Sequence, residues 1–157
     1  ASAYMNFLCR PDAAALLAEN DFARLWRLFE GMGGAAWLSD ALRAQYRAVW
    51  RESLETQLNF YRASPLRPPT SPSDAIHTLQ FPPSMVTSRV PTTVLWGERD
   101  IALPTSLLDG LEAFVPRLDL RRVPEATHWL IHEQPARVAA TIAELIASGP
   151  AEEQHHA

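Results

Sequence analysis

The segment from Val90 to His132 constrains the fold of this chain most, because it carries two short strand patterns with a longer connection between them. Thr92 to Trp96 is rich in β-branched and apolar residues and is followed at once by Gly97, and Leu118 to Val123 is the second predicted strand. The sequence predicts a helix in the connection, from about Thr105 to Phe114. A strand, a helix and a second strand in this order indicate an α/β chain with a parallel sheet.

One titratable residue follows each predicted strand, Asp100 after the first and His128 after the second. Because the carboxyl ends of parallel strands line the ligand crevice of an open α/β sheet, we expect both side chains in that crevice. A carboxylate that accepts the Nδ1 proton of an imidazole leaves Nε2 to take a proton from water or a hydroxyl. Singly, each residue has a plainer interpretation, a turn for the aspartate and packing for the histidine. Together they predict an acid that orients a base.

The first part of the chain, to about Arg67, is predicted to be helical. Asp12 and Asp21 are placed to cap successive helices, a cluster of glycines from Gly31 to Gly34 ends the second, and a third begins at Ser39. This third helix repeats apolar residues at steps of three and four, which predicts one core-facing stripe. The stripe consists of Leu42, Tyr46, Val49, Trp50, Leu54, Leu58 and Tyr61.

Prolines from Pro65 to Pro83 interrupt the middle of the chain and predict an extended connector between two units. A last helix is expected to have Pro135 in its first turn. Its predicted buried face is formed by Val138, Ile142, Leu145 and Ile146. The resulting boundaries are a helical cap over 1–68, the connector over 69–89, a strand-and-helix part over 90–148, and a polar tail over 149–157.

A parallel sheet of only two strands is normally not stable by itself, since parallel strands are buried on both faces and hydrogen-bonded at both edges. We therefore expect further strands to be supplied by sequence that precedes this chain. The alternative is a module without catalytic activity that associates with a complementary fragment or dimerises through its sheet edge and apolar surface.

Composition and charge exclude several classes of protein. A net charge of −4 with scattered arginines gives no basic face for nucleic acid, and no apolar run is long enough to span a membrane. Cys9 is the only cysteine, so no disulfide can form within the chain, and a cytoplasmic location is expected. No ligand spacing for a metal is found, His155 and His156 at the terminus are not assigned one, and no cofactor is expected.

Three motifs carry a resemblance to a known family: LWGERDIALP, ATHWLIHEQP and LNFYRASPLR. With them the chain, up to about Ser148, resembles the C-terminal half of an α/β-hydrolase, and within that superfamily the soluble epoxide hydrolases. The resemblance implies that Asp100 is the acid and His128 the base of a catalytic triad. The family usually has glycine before this histidine, where this chain has Thr127.

The same resemblance implies roles for two tyrosines of the helical cap. Tyr61 in LNFYRA and Tyr4 in SAYMNF correspond to a tyrosine pair that hydrogen-bonds the oxygen of an opening epoxide. The alternatives are that Tyr61 packs in the stripe of the third helix and that Tyr4 is a frayed terminal residue. Leu103 and Trp129, beside the acid and the base, are candidate substrate-binding residues for a small hydrophobic substrate.

By resemblance, an aspartate on a G-x-D-x-G turn would attack the epoxide and form an ester. No G-x-[DS]-x-G pattern occurs among the six glycines, so the nucleophile is not in these 157 residues, and we expect the chain to be inactive alone. Two other hydrolases stay open, a serine hydrolase and a haloalkane or haloacetate dehalogenase, which would bind halide through tryptophan N–H groups. Candidate tryptophans are Trp26, Trp37 and Trp50.

Overall fold

A computed structural model describes residues 3–149, which divide between Phe81 and Pro82 into two compact units. The division lies within the predicted connector. Residues 150–157 of the predicted tail, with His155 and His156, lie outside the described residues. Among residues 3–149, no helix combines the length and the apolar character that a membrane crossing requires.

The first unit is helical, as the sequence predicts, and its helices are short or interrupted. They are α1 (Tyr4–Leu8), α2 (Ala13–Gly31), α3 (Asp40–Gln57) and α4 (Asn59–Ala63), with 3-10 turns at Gly34–Ala36 and Ala75–Thr78. The buried core is mainly aromatic and aliphatic: the rings of Trp26 and Trp50 lie 4.5 Å apart between centroids, and Phe22 packs on Trp50 at 5.3 Å. Rings of this size bury large apolar areas and account for much of the core.

Neither predicted aspartate cap is present. Asp12 precedes α2 but makes no capping hydrogen bond, because Arg10 holds its carboxylate through two bonds of 2.7 and 2.5 Å. Asp21 has left-handed backbone with a φ of 55°, whereas a capping residue needs extended backbone. Its carboxylate instead accepts a bond from Arg47 Nε at 2.5 Å, which ties α2 to α3.

The predicted cap of α3 is confirmed, since the hydroxyl of Ser39 accepts a hydrogen bond from the Leu42 N–H. The apolar stripe is confirmed except at Val49, which is 50% exposed. Val49 precedes buried Trp50 and lies about 100° away from it around the helix. The stripe also crosses a break: α3 ends at Gln57, and Tyr61 belongs to α4.

The second unit contains the short helix α5 (Pro83–Val86) and a parallel pair of strands, β1 (Thr92–Gly97) and β2 (Leu118–Val123), paired from Thr92↔Leu118 to Gly97↔Val123. The predicted parallel strands are therefore confirmed. The helix predicted between them is wrong: two 3-10 turns, Thr105–Leu108 and Leu111–Ala113, take its place. Gly110 separates them with a left-handed φ of 78°, a conformation that interrupts a right-handed helix.

Two helices end the described chain, α6 (Leu130–Glu133) and α7 (Pro135–Ser148), and α7 begins at the predicted proline. Its predicted buried face is wrong, because Ile142, Leu145 and Ile146 are between 42% and 75% exposed. Burial of an apolar face requires another surface that packs against it, and the described part of the second unit leaves these side chains exposed.

Candidate functional site

Asp100 and His128 are hydrogen-bonded to each other. Asp100 follows β1 by three residues, His128 follows β2 by five, and Asp100 Oδ2 lies 2.9 Å from His128 Nδ1. Because the two strands are adjacent and parallel, their carboxyl ends deliver the two loops to the same edge of the sheet. An imidazole whose Nδ1–H donates to a carboxylate oxygen keeps the lone pair on Nε2.

The other oxygen of Asp100 is bonded to its own loop. Oδ1 accepts hydrogen bonds of 2.8 Å from the N–H groups of both Ala102 and Leu103, and the side chain is only 9% exposed. Asp100 is thus a turn residue and a histidine partner at once. The backbone bonds fix the carboxylate so that Oδ2 points to the imidazole. Leu103 contributes its N–H to this arrangement, while its side chain is exposed.

The imidazole of His128 is accessible enough to meet a small molecule, with 30% of its side chain exposed. Trp129 packs against it edge to face, with the ring centroids 5.4 Å apart and the planes at 77°. Trp129 therefore forms one wall beside the imidazole. That position is compatible with the predicted contact to substrate, which stays a prediction for Trp129 and for Leu103.

Gly97 lets the loop that carries His128 approach the end of β1. A Cβ atom at this position would lie 2.5 Å from the Thr127 carbonyl oxygen and 2.6 Å from that of Ala126. The same Ala126 oxygen accepts a 3.0 Å hydrogen bond from the Arg99 N–H. The acid loop, which carries Asp100 after β1, and the histidine loop, which carries His128 after β2, are therefore in direct backbone contact. This contact requires glycine at the end of β1.

The sequence interpretation missed Glu133 at the end of α6. Its carboxylate accepts two hydrogen bonds of 2.7 Å from Thr127, one from the backbone N–H and one from the hydroxyl. The hydroxyl oxygen in turn accepts a 3.3 Å bond from the Trp129 N–H. A carboxylate a few residues beyond a candidate base was the only signal for this contact in the sequence.

Tyr4 and Tyr61 are neighbours within the first unit. Their ring centroids are 6.2 Å apart with the planes at 78°. Burial raises the pKa of the Tyr61 phenol above its usual value, and the proximity and hydrogen bond of Tyr4 raise it further. Since Tyr4 begins α1 and packs against the core, it is not a frayed residue.

No group of three or more histidine, cysteine or acidic side chains suited to a metal occurs in the described part of the chain.

Comparison with known proteins identifies relatives over nearly the whole chain, although no family model matches it. The chain is 32% identical over 148 residues to the AB hydrolase superfamily protein YfhM of Bacillus subtilis (strain 168), a match that covers 92% of this chain and 48% of that protein. It thus spans about half the length of the curated relative that it matches.

Solved epoxide hydrolases are similar in structure. An epoxide hydrolase of Bacillus megaterium, crystallised with an inhibitor, has a TM-score of 0.76 at 23% identity, covering 93% of this chain and 51% of that one. A second, described among novel epoxide hydrolases of the alpha/beta hydrolases superfamily in metagenomes from hot environments, has a TM-score of 0.65 at 28% identity, covering 91% and 49%. The predicted fold class, the C-terminal strands and helices of this fold with a helical cap before them, is confirmed. The chain belongs to the α/β-hydrolase superfamily, and it forms part of that fold.

Proposed function

We propose that this chain provides the acid, the base and the oxygen-binding tyrosines of an epoxide hydrolase that converts a small hydrophobic epoxide to a diol. The nucleophile, an aspartate, is proposed to come from sequence outside residues 1–157, and the chain alone to be inactive. No cofactor enters the reaction. We propose a cytoplasmic location, in keeping with a single cysteine, Cys9, that forms no disulfide within the chain.

The proposed reaction has two steps. In the first, the external carboxylate attacks an epoxide carbon, the ring C–O bond breaks, an ester forms, and a tyrosine donates a proton to the alkoxide. In the second, His128 Nε2 takes a proton from water, and the resulting hydroxide attacks the ester carbonyl. Cleavage of the ester then releases the diol and regenerates the carboxylate, and the proton on His128 restores the tyrosine.

The Asp100–His128 pair supports the second step. The 2.9 Å bond holds the imidazole in the tautomer whose Nε2 accepts a proton. As His128 becomes an imidazolium, the buried carboxylate of Asp100 stabilises the new positive charge. The carboxylate does not have to move to do this, because Ala102 and Leu103 already hold it.

The tyrosine pair is the observation that carries the choice of an epoxide. An opening epoxide develops negative charge on one oxygen, and two phenols that keep their protons can both donate to it. Tyr4 and Tyr61 are within contact of each other, and the raised pKa of Tyr61 keeps it a donor. An acyl substrate also develops an oxyanion, but in α/β-hydrolases backbone N–H groups bind it, and a leaving halide takes up no proton.

The dehalogenase alternative loses support at two of its three candidate tryptophans, Trp26 and Trp50. The Trp26 indole N–H donates a 2.9 Å hydrogen bond to the Asp21 carbonyl, and it is therefore not available to a halide. Trp50 is buried in the aromatic core of the first unit. The core provides a structural reason for tryptophan at both positions.

The test uses the complete open reading frame that contains this chain. The expected result is an aspartate at a G-x-D-x-G turn before Ala1, and diol formation from a hydrophobic epoxide. A serine at that turn with ester hydrolysis would overturn the proposal, as would halide release without epoxide turnover. If the reading frame has no such turn and the expressed protein forms homodimers without activity, the chain is the non-catalytic module of the alternative hypothesis.

Tyr61→Phe in the complete protein tests the assignment of the phenol. Loss of one donor to a developing oxyanion should slow formation of the ester by roughly 100-fold, about 3 kcal/mol. Tyr46→Phe is the matched control, since Tyr46 packs in the aromatic core of the same unit. Equal rates of ester formation in the two variants would remove Tyr61 from the site.

A further inference from the structure

The residues on either side of His128 are joined by one connected set of hydrogen bonds. Thr127 donates both its N–H and its hydroxyl to the carboxylate of Glu133, at 2.7 Å each, on different oxygens. The Thr127 hydroxyl oxygen also accepts from the N–H of Trp129 at 3.3 Å. We name this set, Glu133 with Thr127 and the Trp129 N–H, the Glu133 clamp.

The clamp restrains the histidine loop on the side facing α6, while β1 restrains it on the other side. There, the Ala126 carbonyl oxygen is bonded to the Arg99 N–H at 3.0 Å, and Gly97 allows close contact with the carbonyls of Ala126 and Thr127. His128 lies between these two attachments. Its own backbone conformation is therefore determined by the residues before and after it.

The acid loop does not provide equivalent control over the direction of the ring. Asp100 is fixed by two backbone bonds, but it meets the imidazole through a single 2.9 Å bond. A single hydrogen bond restrains the distance between Asp100 Oδ2 and His128 Nδ1, but it does not prevent the histidine loop from rotating about that bond. The Glu133 clamp supplies the missing restraint, because hydrogen bonds to an ionised carboxylate are shorter and stronger than neutral ones.

We propose that Glu133 is a positioning residue that acts through Thr127 to keep His128 directed at Asp100. The catalytic consequence rests on the proposed function, in which His128 activates water. The Thr127 hydroxyl donates to the Glu133 carboxylate and accepts from the Trp129 N–H. It therefore links that carboxylate to the residues before and after His128. The prediction is that loss of the clamp weakens the Asp100–His128 bond without removing either partner.

The first experiment records the side-chain nitrogen and proton resonances of His128 in the 15N-labelled complete protein, and it needs no substrate. In the wild type, Nδ1–H should be bonded and protected from exchange with water. Glu133→Gln and Thr127→Val should each accelerate its exchange about tenfold or more, the effect expected for losing a hydrogen bond to a charged group. Thr127→Ser, which keeps the hydroxyl, should restore protection to within about twofold of the wild type.

Glu144→Gln is the control, because it removes an exposed carboxylate of the same unit that is paired with Arg121 and not with the histidine loop. Its exchange rate at His128 should equal that of the wild type. If Glu133→Gln lowers thermal stability but leaves the exchange rate unchanged, Glu133 is structural only and the proposal fails. If that variant does not fold, the comparison of Thr127→Val with Thr127→Ser decides in its place.

A second experiment in the complete protein separates this inference from the proposed function. With an epoxide, Thr127→Val should leave ester formation unchanged and slow ester hydrolysis about tenfold, since only the second step needs His128. If the complete protein does not open epoxides but exchange at His128 still depends on the clamp, the proposed function fails and the positioning role stands. If epoxides are turned over but exchange at His128 does not depend on the clamp, the proposed function stands and the positioning role fails.

Discussion

Replacement of Gly97 by alanine should separate the histidine loop from the acid loop. The added Cβ would lie 2.5 and 2.6 Å from the carbonyl oxygens of Thr127 and Ala126 and 2.8 Å from the Ala126 carbonyl carbon. All three are backbone atoms, which a rotamer change cannot move. The loop must retreat by about half an ångström or more before the closest contact reaches a tolerable separation.

The cost follows from two contributions. Overpacking of a close contact typically costs about 1–3 kcal/mol. The retreat also stretches the 3.0 Å bond from the Arg99 N–H to the Ala126 oxygen, which is worth about 1 kcal/mol. We therefore expect Gly97→Ala to lower the free energy of unfolding by about 2–4 kcal/mol, and to lengthen the 2.9 Å Asp100–His128 bond.

Denaturant unfolding of the complete protein measures the first effect, and exchange of the His128 Nδ1–H measures the second. Gly34→Ala is a matched control, since its Cβ would lie 2.5 Å from the Phe29 carbonyl oxygen in the other unit. It should destabilise the chain and leave the His128 resonance unchanged. If Gly97→Ala has the stability of the wild type and its His128 Nδ1–H stays protected, the close contact of Gly97 with the carbonyl groups of Ala126 and Thr127 is refuted.

Two further predictions concern the titratable groups. Asp100→Asn should keep the turn, because its amide oxygen can accept from Ala102 and Leu103, but its NH2 group would reverse the histidine tautomer. Ester hydrolysis in the complete protein should then fall about 10³- to 10⁴-fold, by analogy with serine proteases, and 15N shifts of His128 showing the wild-type tautomer would contradict this. Because burial raises the pKa of Tyr61, the folded chain holds the phenol proton more tightly than the unfolded chain. The contribution of this proton to the free energy of unfolding should be complete at pH 8 and should decline as the pH rises above about 10. The difference in the free energy of unfolding between wild type and Tyr61→Phe should therefore shrink between pH 8 and pH 11. A constant difference would contradict a raised pKa for Tyr61.

Local patterns predicted the elements whose structure depends on their own residues. β-branched and apolar runs predicted β1 and β2, Ser39 predicted the start of α3, and Pro135 predicted the start of α7. The order of strands then placed Asp100 and His128 at one edge of the sheet, because adjacent parallel strands end on the same side. These inferences needed only short-range preferences and one topological rule.

Predictions that depended on distant partners were less successful. Asp12 and Asp21 were assigned as caps from their positions, yet Arg10 and Arg47 determine where their carboxylates bind. The apolar face of α7 indicated burial, but burial also requires a surface that covers it. Hydrophobic periodicity describes one face of an element and contains no information about its partner.

The sequence by itself determined the two strands, the placement of Asp100 and His128 at one edge of the sheet, and the resemblance to the α/β-hydrolases, since each depends on local residue patterns and on the order of the strands. Only the tertiary structure revealed the close approach at Gly97, the 2.9 Å contact between Asp100 and His128, and the two bonds from Thr127 to Glu133. Hydrogen bonds require distances and angles that depend on how loops pack, and residue order alone does not define them.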